Sequence, residues 1–207
     1  MNSNPPPPEA LQALLKHRPL LQHFYGAFET AAELSAQHLH RPDCFPDAHF
    51  YSHSVRYEAA RLSLPLRGEL GFALFILPMT GLEVLSAGDR LRFWKATDEG
   101  EIPPAGDSPG RLLFIEQEQP PLFDASAFAI HDPAKLVVLW DVDSSLSLKL
   151  FKLACPKNWE NQWRSPETHW IIDIPHPATW IEGEDFGGDG LDDFGLDLDI
   201  PEHGPQS

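Results

Sequence analysis

The sequence predicts an α+β fold: N-terminal helices packed on a largely antiparallel β-sheet of about five to seven strands, followed by an acidic C-terminal tail. Three observations predict it. Segments rich in Leu, Ala and Phe at helical spacing occupy roughly the first third of the chain. Short runs of Val, Ile, Phe and Trp bounded by turn residues follow. No helical pattern separates those later runs, as a doubly wound parallel sheet would require. The chain has 207 residues, 42% of them hydrophobic, enough to bury a substantial core. Its 21 prolines favour loops and short strands over long helices.

In chain order, residues 1–7 form a Pro-rich lead expected to be extended. Pro8 suits the first position of a helix in which Leu11, Leu14 and Leu15 share a face. Pro19 opens a second helix with Leu20, Phe24, Ala27, Phe28, Ala31 and Leu34 along one stripe. HLHRPDCFPDAHFYSH, residues 38–53, reads as a loop broken by Pro42 and Pro46. Ser54 then caps a short helix, VRYEAARLSL. GELGFALFILP predicts a buried strand, and LEVLSAGDRLRFWKA a hairpin turning at Ala87-Gly88-Asp89. TDEGEIPPAGDSPG has the composition of a solvated excursion. RLLFIEQEQ reads as another strand, with Glu116 and Glu118 on one face. KLVVLWDVDSSLSLKLFKLACP, residues 135–156, is the central hairpin. Its first strand is continuously apolar, Asp143-Ser144-Ser145 makes the turn, and Leu146, Leu148 and Leu150 alternate with Ser147 and Lys149 beyond it. The tryptophan-rich connector NWENQWRSPETHW leads to a last strand, HWIIDIP. Residues 8–180 are therefore expected to form a single α+β domain, and residues 181–207 an acidic Gly/Asp tail.

The net charge is −16, from 31 acidic and 15 basic side chains. Nine of the acidic residues lie in 181–207, which contains no Lys or Arg. This balance disfavours nucleic-acid binding, because that affinity is built largely from neutralised phosphates. It suits a protein partner with a basic surface. The longest apolar run, residues 70–79, is too short for the roughly 20 residues of a membrane span. The N-terminal residues show no charged region followed by an apolar one, and Cys44 and Cys155 make no disulfide framework. The expectation is a soluble cytoplasmic protein with reduced thiols.

Three segments carry candidate chemistry. LVVLWDVDSSL resembles the opening motif of the haloacid-dehalogenase-like phosphatases, an apolar strand ending in two aspartates one residue apart. The resemblance implies Asp141 as nucleophile and Asp143 as acid/base beside magnesium. GGDGLDDFG is similar to the same family's late acidic motif, with Asp189 and Asp193 as implied metal ligands. Read without that family, the first segment is a strand ending in turn-forming Asp and Ser. The second segment also resembles one calcium-binding nonapeptide of the β-roll type, present in a single copy. In the loop 38–53, His40, Cys44, His49 and His53 offer the thiolate and imidazole ligands that zinc accepts.

The function expected from the sequence is a non-enzymatic interaction module, of inhibitor or immunity type or a complex subunit, that needs no cofactor. It would engage a basic partner through the tail and an aromatic surface. In the tail, Asp185, Asp189, Asp192, Asp193, Asp197 and Asp199 interleave with Phe186, Leu191 and Phe194. Carboxylates steer toward a basic groove and spaced apolar residues anchor. Trp159 and Trp163 are the aromatic candidates outside the tail. The alternative is a metal-dependent hydrolase using Asp141 and Asp143, or zinc held by the His/Cys loop.

Overall fold

The computed structural model describes residues 5–39, 48–77, 81–115, 134–143 and 147–180. Two compact units divide the chain, residues 1–177 and 178–207, and of the second only 178–180 are among the described residues. Among its described residues the first unit has four α-helices: α1 (Pro8–Lys16), α2 (Arg18–Leu39), α3 (Ala48–Ser63) and α4 (Pro109–Ile115). The six strands among the described residues are β1 (Phe72–Leu77), β2 (Gly81–Ser86), β3 (Asp89–Lys95), β4 (Lys135–Val142), β5 (Leu148–Pro156) and β6 (Thr168–Asp173). They form one sheet in sequence order, antiparallel except for the β3–β4 pair, which is parallel. The α+β architecture expected from the sequence is the one observed.

The β4–β5 hairpin lies inside the sheet, as its apolar run predicts. Residues 135–141 of β4 are all buried, because β4 has a strand on each side and a covering layer on each face. On the first face α2 supplies the cover. Phe24 and Phe28 are fully buried and stack against Phe93 of β3, with ring centroids 4.5 and 5.4 Å apart. Phe28 also meets Trp140 of β4 and Phe151 of β5 at 5.1 and 5.8 Å. The i, i+4 spacing of Phe24 and Phe28 puts both rings on one helix stripe. Period-2 alternation puts their partners on one sheet face. Tilted aromatic pairs of this kind stabilise by about 0.5–1.5 kcal/mol beyond the area they bury.

The second face is covered by the β3–β4 connection. Ile102, Phe114 and Ile115 pack on Trp94, Val137, Leu139 and Ala154, with Leu150 and Trp159 at the margin. Residues 97–110 are thus more than a solvated excursion: Ile102 and Ala105 are buried, and Thr97 anchors the turn by accepting the Glu101 N–H at its hydroxyl.

Four expectations are corrected. RLLFIEQEQ does not begin as a strand: residues up to Ile115 continue α4, with Pro109 at its first position. The helix wins because Phe114 and Ile115, consecutive residues, are both buried. A half-buried strand would send them to opposite faces. The predicted strand in 68–78 exists as β1, yet it is an edge strand with alternating and mostly partial exposure. An edge strand has a neighbour on one side only, so apolar Phe75 and Ile76 remain about half exposed. The loop expected over 38–53 is shorter, since α2 runs to Leu39 and α3 begins at Ala48. Ser54 is therefore inside α3 and caps nothing. The Ala87-Gly88 turn is as expected: both residues have positive φ, 48° and 85°, which a two-residue hairpin needs to match strand twist.

Asp89, just after that turn, joins three elements. Its carboxylate accepts from Lys16 Nζ at 2.7 Å, from His17 Nε2 at 2.9 Å, and from the Ala134 N–H at 3.2 Å. Burial disfavours the Asp89 charge, but bonds from Lys16 and His17 outweigh it and hold the carboxyl below its usual value. Burial dominates at His17 and lowers its pKa despite Asp89, so the imidazole is neutral and donates from Nε2. A depressed histidine pKa means the unfolded chain binds more protons below pH 6.5, and stability falls as pH drops through that value. His17→Gln is expected to lower the urea midpoint above pH 6.5, and the gap to the parent should narrow as pH falls below it. A gap independent of pH would show that His17 does not titrate with folding.

Candidate functional site

Asp141 and Asp143 sit at the end of β4, where the phosphatase resemblance places them. The surroundings differ from that family's strand–helix succession, because the next element is β5, running back antiparallel. Asp143 accepts the Ser147 N–H at Oδ1, 3.2 Å, and donates its own N–H to Ser147 O, which is turn chemistry. Asp141 faces two lysines, Lys95 at 3.7 Å and Lys149 at 3.5 Å. Two ammonium groups already compensate the charge that a magnesium ion would need. Chelator treatment is accordingly expected to leave the thermal midpoint unchanged; a drop on chelation, restored by a divalent ion, would favour the hydrolase reading.

The zinc candidates are only partly within view. His40 and Cys44, and the side chain of His49, lie outside the described residues. His53, on α3, accepts from the Arg56 guanidinium at Nδ1, 3.0 Å. Among the described residues no group of three or more His, Cys, Asp or Glu is placed to hold a metal ion. The tail candidates Asp185, Phe186, Asp189, Leu191, Asp192, Asp193, Phe194, Asp197 and Asp199 also lie outside the described residues, as do Glu116 and Glu118. Cys155 is half-buried in β5, and burial pushes its thiol pKa up, away from nucleophile behaviour.

The tryptophan connector divides its two candidates. Trp159 is half-buried against the second-face core. Trp163 is 60% exposed, the most exposed large hydrophobic side chain among the described residues. Its loop is nonetheless fastened. Asn161 Oδ1 accepts the Trp163 N–H at 2.9 Å, Asn161 O accepts from Arg164, and Gln162 O accepts from Gly106. The Trp163 ring lies against Gly106, where an added Cβ would come 3.7 Å from Cζ3. Gly106 has φ +53°, which favours glycine at this turn. At the ends of this connector, the Lys157 N–H donates to Glu167 O at 2.7 Å.

An arginine layer lies on the second face, and sequence reasoning did not single it out. Glu83 of β2 accepts from Arg90 Nε at 2.8 Å and from Arg92 Nε at 2.5 Å, both on β3. Arg92 also donates to Gly110 O and lies over the Phe114 ring, 4.4 Å from its centroid. Arg111 of α4 donates to Pro104 O at 2.9 Å and lies over Trp94 at 5.6 Å. Arg56 of α3 is also buried. Burial lowers the pKa of Arg92 and Arg111, and burial with the nearby Arg111 charge lowers that of Arg56 to about 10. The one legible signal was the alternation of Arg90 and Arg92 with Leu91 and Phe93, which sends both arginines to one sheet face. Arg61, further along α3, pairs with Glu58 at 2.7 Å. Glu83→Gln removes the carboxylate shared by buried Arg92 and partly buried Arg90, and a loss of about 3–5 kcal/mol in urea unfolding is expected. A loss under about 1 kcal/mol would mean the bridge behaves as a surface pair.

No protein-family model, no curated protein and no solved structure matches this chain.

Proposed function

We propose that this chain is a non-enzymatic interaction module that binds a protein with a basic surface, as an inhibitor of immunity type or a subunit of a complex. The observation that carries the reading is Trp163, which presents an exposed indole from a loop pinned by backbone and Asn161 hydrogen bonds. A large aromatic held in one place loses little conformational freedom on binding, and such residues dominate interface energetics. The second support is composition. The tail concentrates nine carboxylates without a counter-charge and spaces Phe and Leu among them. Charge complementarity then favours a basic partner and accelerates encounter.

The aspartates at 141 and 143 support this reading by what they already do. One closes a turn and the other pairs with two lysines.

The test is capture of partners by the full-length protein, by Trp163→Ala, and by a full-length variant with Asp192, Asp193, Asp197 and Asp199 changed to Asn. One basic protein retained by the parent, released by salt, and lost with both variants is the expected result. An alanine truncation at an interface hot spot weakens binding by about 2 kcal/mol or more. Equal retention by all three proteins would remove the reading.

A further inference from the structure

β1 is an outer strand of the sheet, paired with β2 alone. The Phe72 N–H turns away from β2 and donates to Arg67 O at 3.1 Å. In an antiparallel ladder the N–H and C=O of one residue point to the same side, and residues two apart repeat that direction. The two-residue β2–β3 turn agrees. Ser86 and Asp89 close it, so residues 82, 84 and 86 bond to β3 and residues 81, 83 and 85 bond to β1. Leu74 and Ile76 therefore aim their N–H and C=O groups outward, and among the described residues nothing bonds them.

The side chains at this edge are open on both faces. Phe75, opposite Glu83 on the second face, is 47% exposed. Ile76 shares the first face with Phe72, whose ring meets Phe24 of α2, and is 48% exposed. A layer laid on the sheet would cover one of the two, whereas a strand added alongside covers both. Charge singles out this edge as well. No charged residue lies between Glu69 and Glu83. At the other edge β6 has exposed carboxylates at both ends, Glu167 and Asp173, and such charges discourage strand pairing. Two chains of net charge −16 repel each other, and a charge-free edge is where a second copy can approach. A basic partner finds no carboxylate on β1 to recognise.

We propose that β1 pairs antiparallel with β1 of a second copy, joining two six-stranded sheets into one across a two-fold axis. The outward groups set the register. Leu74 lies opposite Ile76 of the second copy, and Ile76 opposite its Leu74, each pair exchanging both hydrogen bonds. Phe75 then sits at the axis, facing Phe75 of the second copy in a pair without hydrogen bonds, where side chains come closest. Centring the axis on Leu74 would instead oppose Ile76 to Phe72, whose N–H is already committed to Arg67. The contact is self-complementary, as a two-fold interface must be. An edge of six residues is small against the roughly 1,200 Å² of a stable complex, so the dimer is reversible.

The test is sedimentation equilibrium of the full-length protein from about 1 μM to about 1 mM, the affinity range of a small interface. The weight-average mass should rise from one chain toward two. Phe75→Lys, at a half-exposed position, sets two ammonium groups face to face and should weaken the dimer by about tenfold or more. Cross-linking reads the register. In a Cys44→Ser, Cys155→Ser background, Phe75→Cys should oxidise to a covalent dimer, since the Cα atoms at the axis are about 4.5 Å apart and a disulfide spans up to about 7 Å. Ala73→Cys in the same background lies opposite Leu77 of the second copy and should not cross-link. A single-chain mass at every concentration would leave the edge to another chain or to solvent and overturn the proposal. A dimer unchanged in Phe75→Lys, or equal cross-linking at positions 73 and 75, would overturn it too.

Discussion

Burial of β4 on both faces is the constraint from which the rest of the structure follows. A strand with seven consecutive buried residues needs a hydrogen-bonded neighbour on each side and a covering layer above and below. Its neighbours are β3 and β5, and the two layers are built differently. The first is an amphipathic helix whose phenylalanines fit the aromatic side chains of three strands. The second is assembled from a long connection, a helix of two turns and a set of arginines. The parallel β3–β4 pairing makes that second layer obligatory, because the chain must cross from one end of the sheet to the other before β4 can begin.

The second layer combines apolar and ionic contacts in a way that explains its odd composition. Short helices such as α4 are not stable by themselves. Phe114 and Ile115 bury its apolar side, and the guanidiniums of Arg92 and Arg111 tie its first turn and leading loop to the sheet. Arginine suits this task, since its planar head stacks on Phe114 or Trp94 while its N–H groups reach carbonyls. The same arrangement brings Arg92 and Arg111 to the rim of an open cleft.

Opposite that layer, Asp89 fastens the α1–α2 junction to the β2–β3 turn and to the start of β4. The two ends of β3 thus carry two different polar devices. At its start a single carboxylate collects three donors. Along its length and beyond its end, guanidiniums outnumber carboxylates.

The sequence by itself determined the helices α1 and α2, the β2–β3 and β4–β5 hairpins, β6 and the burial of β4. In each case the signal is local: a period of 3.6 or 2, or a turn dipeptide such as Ala87-Gly88. Only the tertiary structure decided that 109–115 is helical, that β1 lies at an edge, and that α3 begins at Ala48. Short apolar runs are compatible with either secondary structure, and what covers them selects one. The exposure of Trp163 and the half-burial of Trp159 were equally undetermined, because four residues of identical spacing logic can place one indole in a core and the other in solvent. The arginine cluster was the least legible of all. Arg56, Arg92 and Arg111 are far apart in sequence, and their shared cleft exists only because a parallel strand pair and its crossover bring three elements to the same end of the sheet.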